Sequence, residues 1–442
     1  MIMISTVAAI PEKLQRAMTL HKAWRLEEAQ SVYEEILILQ PTNFDALHLL
    51  GTVFAQSTSP QRGAELIRKA IDSDPANAAV FAAHTNLGSA LCQLKQFNPA
   101  IECYNRAIAI RPDYGPAYHN RAFARLALGD MDNGWVDLEW RWRNKPNYAS
   151  VKQVFEQRRW TGAASIAGKT ILLHCEQGLG DTLQFCRYAQ LVSVACARVV
   201  LVVQKPLLSL LSTLHGPAEV RAANDGLPEF DYFCPLMSLP LAFKTTLYSV
   251  PAFFPYVQSD RLKRRFWEEK LGRRERPRVG LVWSGGFRPD RRDLWSVNQR
   301  RNIPLQSFAP LFRPDIEFYS LQKGQPAESE LADLMSKGWE GQKIIDHTNL
   351  LSDFSDTAAL IEQLDLVISA DTSTAHLAGA LGKPVWILNR FDACWRWLTN
   401  RNDSPWYKTA RLYRQETAGD WEGVVRRVKT DLAQHFAAQA QR

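Results

Sequence analysis

The sequence predicts an α + α/β chain, an all-helical repeat array followed by two Rossmann-like α/β lobes. Three observations lead there. Pro41, Pro75, Pro112 and Pro146 each follow an amphipathic stretch and stand 34, 37 and 34 residues apart. Beyond Pro146, short β-branched apolar runs alternate with helical stretches, the pattern of a parallel sheet wrapped by helices. Glycine turns and polar clusters fall where those apolar runs end, and open α/β sheets bind ligands at the carboxyl ends of their strands.

The first observation assigns residues 1–146 to an array of about four units. A 34-residue period is that of the tetratricopeptide repeat (TPR). Leu87, Gly88, Leu91, Ala100, Tyr104, Ala107 and Pro112 fit one unit, and Leu50, Gly51, Phe54, Gly63, Ile67, Ala70 and Pro75 repeat the scheme. Small residues let the two helices of a unit approach, large ones fill the gap, and the proline stops the second helix. Such arrays offer a concave surface to partner proteins. A protein partner is therefore expected. The alternative is that the array braces the α/β lobes behind it, a role that Trp135, Trp140 and Trp142 suit.

After an expected linker over 147–168, the second observation gives an N-terminal lobe over 169–259. Its strands are expected at 170–176, 198–203, 219–222 and 231–235, with helices at 182–195 and 207–214. A charged stretch over 260–277 is read as the connection to a C-terminal lobe over 278–442. There, strands are expected at 279–283, 317–321, 343–346, 366–369 and 385–388. Helices fill the gaps, and a last one runs over 421–438.

Composition narrows the function classes. A net charge of +7 and a pI near 9.0 suit an anionic ligand. No run of Lys or Arg forms a basic tail and no aromatic-basic stripe marks a nucleic-acid surface, so no nucleic acid is expected as a partner. The 7 cysteines are scattered without a C-x-x-C pair. That points away from disulfides and zinc and towards a reducing, cytoplasmic setting. The start lacks a basic region ahead of its apolar residues, and no apolar run reaches the roughly 20 residues of a membrane span.

The third observation supplies the chemistry. In EQGLGDTLQF, Gly178 and Gly180 let backbone approach a ligand, and Asp181 stands at a helix start. Asp181 suits either an N-cap or a general base. In ISADTSTAHLAGALGKP, a strand delivers Asp371, Thr372 and Ser373 to a helix start, with His376 one turn in. Those residues suit capping, with the helix amides and His376 meeting phosphate; His376 also suits a satisfied, half-buried histidine. The loop Ser284 to Leu305 carries Arg288, Arg291, Arg292, Arg300 and Arg301, suited to a lid on a diphosphate or to a solvated loop. Lys323, just past a strand, suits phosphate or plain surface. The D-x-D pattern that holds a divalent cation in metal-dependent sugar transferases occurs only at Asp72–Asp74 and Asp130–Asp132, both in repeat turns. No metal and no cofactor are therefore expected.

These motifs resemble the ADP-heptosyltransferase-like glycosyltransferases of the GT-B fold. The G-x-G-D turn and the Asp371-Thr372 … His376 motif, followed by Gly382-Lys383-Pro384, carry the likeness. With GWVDLEWRWR, CPLMSLPLAF and DSPWY, the whole chain resembles a bacterial group of TPR-linked glycosyltransferases, some of which modify flagellin. The resemblance implies an acceptor on the N-terminal lobe and a nucleotide-sugar on the C-terminal lobe. It implies Asp181 as base, Asp371, Thr372 and His376 as the grip on the donor diphosphate, and inverting, metal-independent transfer to a protein hydroxyl recruited by the array. Ser373 stands where the heptosyltransferases often have glycine, which points away from ADP-heptose as donor. The repeats, foreign to the lipopolysaccharide enzymes, point away from a lipid acceptor. Transfer to a saccharide or lipid, or a silent TPR scaffold, are the alternative functions.

Overall fold

The computed structural model describes residues 9–57, 59–142, 158–252, 254–337 and 344–440. Two compact units emerge. The first contains the described part of Met1–Pro146 with two later segments, Asp290–Ser296 and Cys394–Thr399; the rest forms the second.

In the first unit, helices pair as TPR units do. They are α1 (Ile10–Lys22) with α2 (Leu26–Leu39), α3 (Phe44–Gln56) with α4 (Pro60–Ser73), α5 (Val80–Gln93) with α6 (Phe97–Ile110), and α7 (Gly115–Leu128) with α8 (Met131–Leu138). Pro41, Pro75 and Pro112 each follow the C-cap residues Gln40, Asp74 and Arg111 by one position. The 37-residue interval has a local cause. The connection over 74–79 is two residues longer than that over 40–43, and α5 has 14 residues against 13 in α3. The D-x-D aspartates are helix-end residues: Asp74 is the C-cap of α4, and the Asp130 side chain accepts from the Asn133 N–H at the start of α8.

Small residues set the helix spacing. A Cβ on Gly63 would lie 2.5 Å from the Gly51 carbonyl oxygen and 2.9 Å from the Ala55 nitrogen, so α3 and α4 touch backbone to backbone. Ala29, Tyr33, Ile67, Ala70, Ala100 and Ala107 are wholly buried beside them. Polar contacts recur with the repeat: the Asn86 amide donates to Thr52 Oγ1 and the Asn120 amide to Ser89 Oγ, each at 3.1 Å. At the end of the array, buried Asp137 accepts from Arg121 and Arg125 at 2.7–2.8 Å. Trp140 stacks on Tyr118 at 3.7 Å, and Trp135 meets Trp395 of the Cys394–Thr399 segment edge-on at 5.5 Å.

The second unit holds two all-parallel sheets. One has the order β3-β2-β1-β4, with β1 (Thr170–His174), β2 (Arg198–Val203), β3 (Glu219–Ala222) and β4 (Tyr232–Pro235). The other runs β10-β9-β8-β5-β6-β7, with β5 (Arg278–Val282), β6 (Glu317–Ser320), β7 (Ile345–Asp346), β8 (Leu366–Ala370), β9 (Val385–Asn389) and β10 (Ala410–Arg414). Every residue of β5, β8 and β9 is buried, as expected of central strands covered on both faces.

Several elements differ from the sequence expectation. The helix expected over 182–195 is α9 (Leu179–Phe185), a 3₁₀ turn (Cys186–Tyr188) and α10 (Ala189–Ala195). The connection over 260–277 contains α11 (Arg261–Leu271), which Asp260 caps and Trp267 anchors; its charges masked the pattern. Strand β10 was not expected, because Arg411 and Arg414 break its apolar character. Of the linker, 147–157 lie outside the described residues, whereas Arg158 and Trp160 bond to the backbone of Phe233 on β4 at 2.8 Å. Lys343 of the strand expected over 343–346 also lies outside them. Two further helices are α12 (Ser373–Ala380) and α13 (Trp421–Ala440). No helix among the described residues is long and apolar enough to cross a membrane.

The close contact of α3 and α4 yields a test. Gly63→Ala puts a methyl group against backbone that cannot yield. It should destabilise the array by about 1–3 kcal/mol, the usual cost of overpacking. The loss should appear as a lower urea midpoint for helix loss in far-UV circular dichroism, while Gln61→Ala on the exposed face of α4 leaves the midpoint in place.

Candidate active site

Strand β1 ends at His174, and the chain then turns into α9 with Gly178 as N-cap residue. Asp181 is thus not the N-cap of its helix. It stands three residues further on, where its Oδ2 accepts from the Gly178 N–H at 2.8 Å. This back-bond satisfies an amide at the helix entrance and ties the carboxylate to the turn. Asp181 is partly exposed.

Strand β8 ends at Ala370, and Asp371 and Thr372 lead into α12. Thr372 is the N-cap residue, but its hydroxyl does not cap. It shares a hydrogen bond with Ser369 Oγ at 3.1 Å instead. The capping expected of Thr372 is therefore absent, because Ser369 on the preceding strand claims its side chain. Asp371 and Ser373 are partly exposed at this helix start.

The two motifs come from different sheets and meet. A Cβ on Gly180 would lie 2.9 Å from His376 Cδ2, 3.5 Å from its Nε2 and 3.5 Å from the Ser373 Cα. Only glycine allows α9 to come this close to the start of α12. His376 is 5% exposed, so it is more deeply buried than a half-buried histidine. Its Nδ1 is 2.8 Å from the Tyr407 hydroxyl.

The basic residues divide. Arg288 approaches the turn: its Nη2 lies 3.8 Å from where a Gly178 Cβ would stand. Arg301 reaches the end of β8, with Nη1 donating to the Asp371 carbonyl oxygen at 3.2 Å. Its guanidinium occupies the space a side chain at Gly285 would fill, 1.9 Å from the ideal Cβ. Arg300 instead pairs with Asp392 at 3.0 Å. Arg291 and Arg292 belong to the first unit. Lys323 donates to the Thr348 carbonyl oxygen, just past β7, at 2.7 Å. Among the described residues no group of three or more His, Cys, Asp or Glu side chains forms a metal cluster.

Sequence reasoning missed Arg187 and Tyr407. Arg187, in the 3₁₀ turn after α9, is wholly buried. It donates to the carbonyl oxygens of Gln184 at 2.7 Å and Trp406 at 2.8 Å and to Tyr256 Oη at 3.0 Å. The one sequence signal for Tyr407 was its place in DSPWY, which carried a resemblance but no role.

Two segments of the chain match known families. Residues 81–114 match the tetratricopeptide repeat, and residues 318–388, from β6 to β9, match glycosyltransferase family 9 (heptosyltransferase). The second match takes in Asp371, Thr372, Ser373 and His376. Protein FlbA of Caulobacter vibrioides is 26% identical over 474 residues, a span of 93% of this chain and 76% of that protein. The ADP-heptose lps heptosyltransferase II of E. coli is 13% identical over 61% of this chain and 99% of its own, with a TM-score of 0.47. A glycosyl transferase family 9 structure from Veillonella parvula is 12% identical over 60% of this chain and 94% of its own, with a TM-score of 0.43. The chain thus joins helical repeats similar to the tetratricopeptide repeat to an α/β part with a segment similar to glycosyltransferase family 9 (heptosyltransferase), which supports a glycosyltransferase in general.

Proposed function

We propose that this glycosyltransferase moves a sugar from a nucleoside-diphosphate donor to a hydroxyl of a protein bound by the repeats, with inversion and without a metal. The observation that carries the reading is the contact of Gly180 with His376 and Ser373. It brings a carboxylate in the turn after β1 and a helix start after β8 to one place, although 195 positions separate Asp181 from His376 in the chain.

In this reading Asp181 accepts the proton of the acceptor hydroxyl. The oxygen then attacks the anomeric carbon from the face opposite the diphosphate, and the bond from that carbon to the diphosphate oxygen breaks. The departing nucleoside diphosphate gains negative charge. The amides at the start of α12, the His376 imidazole and the guanidinium groups of Arg288 and Arg301 are the groups that meet it. Lys323, one of whose N–H groups goes to the Thr348 carbonyl oxygen, is a further candidate for the diphosphate. The repeats supply the partner surface, and a flagellin-like protein is the acceptor class we favour.

Three outcomes test the proposal. Asp181→Asn keeps an oxygen for the Gly178 N–H but cannot take a proton. It should fold and bind donor normally while single-turnover transfer falls roughly 10²- to 10⁴-fold; a fully active variant would remove Asp181 from the mechanism. His376→Ala should weaken nucleotide-sugar binding about ten- to a hundredfold in calorimetry, the worth of a hydrogen bond to a charged group. Excess EDTA should leave donor turnover intact, and activity that is lost and then restored by Mg²⁺ or Mn²⁺ would overturn the metal-free step.

A further inference from the structure

The proposed reaction assigns no role to the DSPWY segment, yet its last residue lies directly against the candidate donor helix. Gly379 is one helical turn after His376 on α12. A Cβ there would stand 2.4 Å from Tyr407 Cδ1 and 2.5 Å from its Cγ. The phenol ring therefore rests on the helix backbone, and only glycine gives it that seat. From this position its hydroxyl reaches His376 Nδ1 at 2.8 Å, with the two rings edge to face at 5.6 Å. The Arg187 guanidinium also packs on the phenol, its carbon 5.0 Å from the ring centroid. Arg187 is itself fixed by the neighbouring Trp406 carbonyl oxygen and by Tyr256 Oη.

We propose that Tyr407 is a positioning residue for His376, with its phenol donating to Nδ1 and so keeping the proton of the neutral imidazole on Nε2. The inference rests on the reading of α12 as the diphosphate-binding helix. A neutral imidazole carries one N–H, and the hydrogen bond made by one nitrogen decides the state of the other. With Nδ1 occupied as an acceptor, Nε2 is the donor. Nε2 lies on the ring edge that faces the Gly180 turn, 3.5 Å from the ideal Cβ position there. The opposite tautomer would turn a lone pair towards an anion and repel it.

The test uses the full-length chain with ¹⁵N-labelled histidine, and ADP, GDP, UDP and CDP as probes. Wild-type His376 should show the Nε2–H tautomer in its imidazole ¹⁵N spectrum. Tyr407→Phe should give mixed tautomers and about three- to tenfold weaker binding of whichever diphosphate the wild type takes, with the thermal melt little changed. Gly379→Ala, which displaces the phenol from its seat, should reproduce the altered spectrum. In a His376→Ala background, Tyr407→Phe should cost nothing further, because Tyr407 acts through the imidazole. An Nδ1–H tautomer in the wild type, unchanged affinity in Tyr407→Phe, or an additive loss in the double variant would each overturn the role of Tyr407. If the wild type binds none of the four diphosphates, the donor-site reading fails instead, and the tautomer spectra alone decide the proposal.

Discussion

The second unit is organised around a buried cation. Arg187 sits 2% exposed, and an ionised group taken out of water without compensation costs several kcal/mol. Among the described residues no carboxylate pairs with it. Compensation comes from carbonyl oxygens of Gln184, Pro251 and Trp406, from Tyr256 Oη, and from the faces of Phe254, Tyr256, Trp406 and Tyr407 at 4.6–5.7 Å. Those partners belong to α9, to the segment between the two sheets, and to the approach to β10. One planar fork therefore holds three stretches of chain in register. A lysine, with a compact ammonium, could not span them.

The close approach of α9 and α12 follows from that register. Once the turn after α9 is fixed against Trp406 and Tyr407, the helix starts face each other with no room between them. The small residues are consistent with this constraint at each contact: Gly180 against His376, Gly379 against Tyr407, and Gly285 against the Arg301 guanidinium. Each would otherwise place a Cβ inside another residue. The alanines and glycine of α12 looked in the sequence like a helix thinned to lie on its sheet. Gly379 is small because a phenol from the DSPWY segment must lie on it.

What was legible in the sequence was whatever repeats or whatever is local. The 34-residue period gave the repeats, and the apolar runs gave nine strands within a few residues of their ends. The glycine turns gave the places where the strands end in chemistry. What was hidden is long-range. Arg187 lies in a stretch that reads as helix, where an arginine normally marks the solvent face, and its bond to the Trp406 carbonyl oxygen spans 219 positions. Tyr407 had no local pattern to announce that a histidine 31 positions earlier would receive its hydroxyl. Strand β10 and helix α11 were missed for a related reason. Both carry arginines whose partners, Asp431 for Arg411 and Glu362 for Arg264, lie elsewhere in the chain.

Asp181 shows why residue type alone left its role open. The choice between cap and base assumed that a carboxylate must serve one purpose. Its position three residues past Gly178 changes the terms. One oxygen receives the Gly178 N–H, and this bond orients the group. A carboxylate offers about four lone-pair sites on two oxygens, and the Gly178 amide takes one of them. The same bond restricts where a proton can come from, because it holds the carboxylate to a turn whose second glycine lies against His376 and Ser373. The back-bond and the proposed base role of Asp181 are thus compatible and need not be alternatives.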